Sequence, residues 1–385
     1  MRRITKITAG ALASVLLFAG CTAAGTTGAG QPAASQAAAA GTTAATSATT
    51  TTVEVSPAVD WASLPTTDVT LTDDGLAITE AGTYVLTGTT TGQVTVDSDG
   101  SVRIVLDGAT IASSVGAAIQ VDGAELAVIE LADGSTNAVS DAATRADEEI
   151  DGAIYSADDL VITGGGALTV TAAFADGIVG RDDLWIESGT IGVTSADDGI
   201  RGKDSLTISG GTIAIDAAGD GMKASNDTDL GKGQLVVTGG EIAISTGDDA
   251  VKAEQRVWIA GGTIDIAESV EGIEAPVIVI DDGDITLNAS DDGVNASASE
   301  IVADGLSITI NGGNLTIVMG QGDTDAIDSN GDLAISGGTL GITAQSAFDF
   351  DGAGTLTGGA ITVNGEQVTE LTNQMMGGPG GRRRP

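Results

Sequence analysis

The sequence has no histidine, and Cys21 is its only cysteine in 385 residues. The first absence excludes serine–histidine triads, imidazole general bases and histidine-bound zinc. The second excludes disulfides within the chain. Aromatic residues are only 2% of the total, against 57 glycines and a hydrophobic share of 42%. That much Val, Ile, Leu and Ala argues against disorder, and the shortage of rings favours a thin core of stacked small side chains. Positive charge is also scarce, with 15 Lys and Arg against 54 Asp and Glu and a formal net charge of −39. Nucleic acid is therefore no partner for this chain, anionic membrane surfaces are poor ones, and dissolved cations are good ones.

The two ends differ from the middle. Arg2, Arg3 and Lys6 precede an apolar run from Ile7 to Gly20 that is too short for a typical membrane span. The run closes on Leu17-Phe-Ala-Gly-Cys21, which resembles the lipobox of bacterial lipoproteins. The resemblance implies a signal peptide over 1–20, lipidation of Cys21 and a position on the extracellular face of the cell membrane, held only by the N-terminal lipid. Residues 22–52 carry no charge and almost no large apolar side chain, so 21–66 is expected to hold the lipidated cysteine and a flexible tether. The final stretch, 366–385, reads as a Gly/Arg-rich disordered tail with Arg382 to Arg384 near its end.

Between them, 67–365 reads as one domain. From about Asp151 the chain repeats a unit close to D-G-I-x-x-x-D-x-L-x-I-x-G-G-x-I-x-I-x-A. The clearest copies are "ADGIVGRDDLWIESGTIGVTSA", "DDGIRGKDSLTISGGTIAIDAA" and "DDAVKAEQRVWIAGGTIDIAES". The corner acids are Asp176, Asp198, Asp220, Asp249, Glu271, Asp292 and Asp325, with gaps of 22, 22, 29, 22, 21 and 33. A period near 22 with local insertions marks a solenoid, and apolar alternation in twos, as in Leu206-Thr-Ile208, marks strands. Glycine pairs such as Gly210-Gly211 make sharp corners between strands. The expected fold is all-β, a right-handed parallel β-helix with three short strands per coil of about 22 residues. A repeat-in-toxin roll would need glycine-rich nonapeptides, and a propeller would need a longer repeat.

Stacked corner acids would form a column of like charges at ~5 Å, which destabilises unless it is bridged. Two answers are present. Arg201, Lys223 and Lys252 stand three residues after successive corner acids, as a basic stripe. At Asp197-Asp198, Asp248-Asp249 and Asp291-Asp292 the acids double, which supplies the hard oxygens that calcium prefers. Asp-Gly is also an ordinary turn pair. The insertion at 225–233 adds Asn226, Asp227 and Asp229, either a surface loop or a further ligand group. No catalytic residue is assigned. A Lys or Arg base beside a cation, the chemistry of polysaccharide lyases, is open to Lys223 or Arg201, and so is simple neutralisation of their acidic neighbours.

"DDGIRGKDSLTISGGTIAI", "GDGMKASND" and the upstream "GTYVLTG", "VRIVLDGATI" and "AAIQV" resemble a family of secreted bacterial carbohydrate-binding β-helix proteins. That family binds cellulose and acidic pectic sugars and is related in fold to calcium-dependent pectate lyases. The resemblance implies bound calcium, with Asp176, Asp197, Asp198 and Asp220 among its ligands; the doubled corner adds Asp248 and Asp249. The reading is thus a lipid-anchored, calcium-stabilised binder of cellulose or a pectin-like wall polysaccharide. The alternatives are a calcium-dependent lyase on uronates and a spacer or adhesin with no sugar site.

The few aromatics point to a sugar face. Trp185 and Trp258 occupy the same place in "LWI" and "VWI", and alternation directs both indoles outward. With Thr207 and Val236 between them they stand three units apart, about 14 Å, a spacing for two stacking points on one glycan. Arg201, Lys223 and Lys252 are the other candidate sugar contacts.

Overall fold

A computed structural model of the chain describes residues 53–321 and 324–373. The signal segment, Cys21, most of the tether and Arg382 to Arg384 lie outside them. The described chain is all-β, apart from one 3-10 turn at Trp61–Ser63. Its strands lie in two sheets, one of 22 strands and one of 12. Almost every pairing is parallel and joins a strand to its counterpart one unit along; the exception is the antiparallel pair of Ala360–Val363 with Glu366–Val368.

The register shows why these residues form strands. Leu160, Leu184, Leu206, Leu235, Val257, Ile278, Ile308 and Leu333 are successive partners, and each is fully buried. In the 12-stranded sheet Ile178, Ile200, Met222, Val251, Ile273, Val294, Ile327 and Phe348 do the same. Both sheets send these side chains into a single apolar core. Each such aliphatic side chain contributes roughly 1.5–3 kcal/mol by leaving water, so core stability accumulates with every unit added.

The expected right-handed parallel β-helix, a solenoid with three short strands per coil of about 22 residues, is corrected by this topology. Two of the three strand rows are fused into one sheet, and the two sheets together close around the core. Fusion occurs because some strands continue through the corner. Arg256–Glu268 pairs with Gln234–Val237 through its first part and with Glu241–Thr246 through its second. Val277–Ala289 bridges the rows in the same way. The corner itself needs glycine. Gly211 has φ +95°, a left-handed conformation in which a side chain would be strained.

The glycine that follows five of the seven corner acids has a different reason; Ala250 and Ala326 follow the other two. Gly199 is not in the left-handed region, but a Cβ there would stand 2.5 Å from Ile215 Cγ2 and 2.6 Å from the Gly221 carbonyl oxygen. Asp-Gly recurs because the corner packs tightly, and turn geometry plays no part at this position.

Residues 53–65, expected to belong to the tether, lie on the wall. Val59 and Trp61 pack against Leu126, Val128, Val161 and Trp185, and the Arg103 guanidinium lies 5.1 Å from the Trp61 ring centre.

Candidate functional site

The corner acids come together as a ladder. Register places Asp176, Asp198, Asp220, Asp249 and Glu271 at successive corners. Each uses one oxygen in the same manner: the N–H of Asp198 donates to Asp176 Oδ1 at 3.1 Å, that of Asp220 to Asp198 at 2.9 Å, that of Asp249 to Asp220 at 3.1 Å and that of Glu271 to Asp249 at 3.3 Å. The second oxygen faces a base. Arg201 Nε donates to Asp176 Oδ2 at 2.8 Å, and the same guanidinium also pairs with Asp151. Lys223 bridges Asp198 and Asp220 at 3.3 and 2.7 Å, and Lys252 bridges Asp249 and Glu274 at 2.6 and 2.7 Å. These bases are neighbours in the 12-stranded sheet, Arg201 beside Lys223 and Lys223 beside Lys252.

The electrostatics follow from burial and pairing. Burial pushes Asp176 up to about 7 in spite of Arg201, and it raises Asp198 as well. For Lys223 burial acts downward, but the carboxylates of Asp198 and Asp220 outweigh it and raise the ammonium. Arg201 is raised by the same balance, with burial opposed by Asp176 and Asp151. Groups held in the charged form this firmly are poor proton acceptors, so neither suits the general-base role open to it from sequence.

This geometry decides how the expected calcium ligands are used. Both oxygens of Asp176, Asp198, Asp220 and Asp249 are committed to a backbone N–H and a basic side chain. A calcium ion there would compete with Arg201, Lys223 and Lys252 for those oxygens. Asp197 and Asp248 are exposed beside the ladder. Asp248 does approach Asp220 and Asp249, with ligand atoms of the three within 4.8 Å of one another. Within the 225–233 insertion, Asn226 is buried and ties the loop down, donating to Asp204 at 2.6 Å and accepting from the Asp229 N–H at 2.8 Å. It serves as a loop anchor.

Alongside the ladder runs a cleft of about 480 Å³. Asp151, Asp176 and Asp198 form part of it with Arg201 and Lys223, and Asp197, Asp227 and Glu254 add further acids. Two further cations line it that sequence reasoning passed over, Arg181 and Lys203. They follow Gly180 and Gly202, which are register partners, so they stand at equivalent places in "VGRDD" and "RGKDS". Neither has a carboxylate within ion-pair distance among the described residues, unlike Arg201, Lys223 and Lys252. The signal was present in the sequence as a second basic position five residues after the corner acid, but the nearer stripe masked it.

The tryptophans are not equivalent. Register does place Trp185, Thr207, Val236 and Trp258 in one row. Trp185, however, is only 4% exposed, and its Nε1 donates to the Glu54 carbonyl oxygen at 3.1 Å beneath residues 54–61. The expected exposed pair is therefore corrected: alternation turned the indole outward, and the preceding segment covered it. Trp258 stays half-exposed, with Nε1 donating to Asp281 Oδ2 at 2.8 Å.

A family model described as carbohydrate-binding domain-containing protein matches residues 72–325. A carbohydrate-binding domain-containing protein of Acetivibrio thermocellus is 40% identical over 124 residues, which are 30% of this chain and 43% of that protein. The match thus spans less than half of that relative's length. Among solved structures, a polysaccharide lyase-like protein from C. thermocellum, in its gadolinium derivative, is 33% identical with a TM-score of 0.50. The alignment covers 57% of this chain and 92% of that one.

Proposed function

We propose, from the premise that this chain belongs to the family of carbohydrate-binding domain-containing proteins, that it holds an acidic polysaccharide at the cell surface without cleaving it. The observation that carries the acidic part is the pair Arg181 and Lys203. In a chain of net charge −39, two cations lining a cleft without an acidic partner are the groups available to a uronate carboxylate. Arg181 offers the planar fork that matches a carboxylate, and Lys203 a mobile point charge. Binding without reaction is supported by the raised Lys223 and Arg201, both held charged by their carboxylate partners and so unsuited to take a proton.

Calcium enters this reading as a stabiliser of the acidic wall, whose carboxylates offer the hard oxygens that it prefers. Lipidation of Cys21, outside the described residues, supplies the anchor and the extracellular location.

The test is retention on insoluble polygalacturonate and on cellulose. Arg181→Ala with Lys203→Ala should weaken retention on polygalacturonate at least tenfold and leave cellulose retention unchanged. Equal retention of the double variant and the parent on polygalacturonate would remove the cleft from consideration. Release of unsaturated uronate products by the parent would replace binding with lyase action.

A further inference from the structure

The 22-stranded wall holds in place a ring that the core does not bury. Trp258 is half-exposed, and its Nε1 donates to Asp281 Oδ2 at 2.8 Å in the next unit. Asp281 Oδ1 accepts from Asn311 Nδ2 at 2.8 Å, and Asn311 Oδ1 accepts from Ser336 Oγ at 2.8 Å. A chain of side-chain bonds thus crosses four successive units and ends on the indole. Asp281, Asn311 and Ser336 are all exposed, so these bonds add little to stability. Their effect is to fix the direction of the ring, which reaches along the sheet toward the next unit. From Trp258 the row continues as Val279, Thr309 and Ala334, all much smaller than an indole. The ring is a ledge above a shallow floor.

A cation stands beside this ring. Arg256 precedes Trp258 by two residues on the same strand, so the two side chains share a face. Its guanidinium carbon lies 5.9 Å from the ring centre. Among the described residues no carboxylate comes within ion-pair distance of it, and its Nε is buried without an acceptor. Arg201 shows the contrast. There the carboxylates of Asp176 and Asp151 outweigh burial, whereas at Arg256 burial lowers the guanidinium in spite of Asp281. In a chain of net charge −39, a half-buried guanidinium with no acid of its own is matched to an anionic ligand.

We propose that Trp258 and Arg256 form a second uronate-binding site, on the 22-stranded wall and apart from the cleft. The indole face takes the pyranose ring, and the guanidinium fork takes its carboxylate. Because Asp281 fixes the ring beforehand, binding need not order a free side chain. Asp281 is here a positioning residue.

The corner of the coil separates the two sites. Glu254 lines the cleft and Arg256 opens the next strand, with Gln255 buried between them. A single acidic chain crossing that corner would meet the Glu254 carboxylate, so the sites take different stretches of glycan. Two linked points of attachment hold a polymer far more firmly than either does alone. The proposal rests on the acidic-glycan reading above for its ligand class and on none of its cleft residues.

The test counts short oligogalacturonates by calorimetric titration of the full chain. The parent should bind two equivalents, and Arg256→Ala with Trp258→Ala should bind one. Arg181→Ala with Lys203→Ala should also bind one, and the four changes together should leave none. Arg256→Gln alone should weaken the wall equivalent at least tenfold, and it decides the matter if the Arg256 and Trp258 double variant does not fold. Asp281→Ala should weaken the same equivalent without removing it, and Asp281→Asn, which keeps an acceptor for Nε1, should restore it. Two equivalents in the folded Arg256 and Trp258 variant overturn the proposal. So does a parent with one equivalent that is lost with Arg181 and Lys203, a result that leaves the cleft reading standing. A single equivalent lost with Arg256 and Trp258 instead supports the wall site and overturns the cleft. No binding by the parent overturns both. Tighter binding of a cello-oligosaccharide than of the oligogalacturonate by the Arg181 and Lys203 variant overturns the assignment to uronate.

Discussion

The N–H of Asp220 donates to Oδ1 of Asp198 at 2.9 Å, while Oδ2 of the same carboxylate lies 3.3 Å from the Lys223 ammonium. One side chain thus ties together two units of backbone and neutralises a charge column. The repeated aspartate is first of all a fastening. Asp198→Ala should cost about 2–4 kcal/mol, because it strands a buried N–H and removes a partner of Lys223. Asp198→Asn keeps an acceptor for the N–H and should cost roughly half as much. Urea denaturation of both variants measures the difference, and equal losses would mean that the charge alone matters.

Stability should also depend on pH in an unusual direction. Burial holds Asp176 up to about 7 and Glu271 up to about 8, both above their ordinary carboxylate values. Groups raised in the folded state favour folding most where they are protonated in both states, and that contribution disappears as pH rises through the folded value. In chelator, the melting temperature is expected to rise by roughly 5 °C or more on going from pH 8 to pH 5. Asp176→Asn should flatten the slope, and a melting temperature that falls over this range would contradict the assignment.

The two outward tryptophans should behave differently. Trp185 is packed under Val59 and Trp61, so Trp185→Ala should cost about 3–5 kcal/mol. Trp258→Ala, at a half-exposed site, should cost about 1 kcal/mol or less. Removing residues 1–61 should shift the emission of Trp185 to the red. An unshifted spectrum would mean that the segment does not cover the indole in solution.

The anchor is open to a direct experiment. Cys21→Ser is expected to move the protein from the membrane fraction into the medium, since slow release depends on more than one acyl chain. A variant that stays with the membrane would mean that something other than this cysteine holds it.

By itself the sequence determined what depends on local pattern. Alternation in Leu206-Thr-Ile208 makes a strand with one buried face, and equal spacing of Leu184, Leu206 and Leu235 within their units aligns them. The row from Trp185 to Trp258 was legible for the same reason, as was a cation beside each of three corner acids. Tertiary structure decided whatever depends on which partner arrives. The joining of two strand rows into one sheet depended on whether the chain kept pairing through a corner, as it does from Arg256 to Glu268. Whether Asp198 would hold a lysine or a metal depended on where the Lys223 ammonium reached, and that is a matter of ångströms between units. The burial of Trp185 depended on a segment about 130 residues earlier in the chain, and the periodicity of the row does not record that Val59 and Trp61 settle on it. Periodicity records the direction in which a side chain points, while its covering and its charge partner are fixed only by long-range packing.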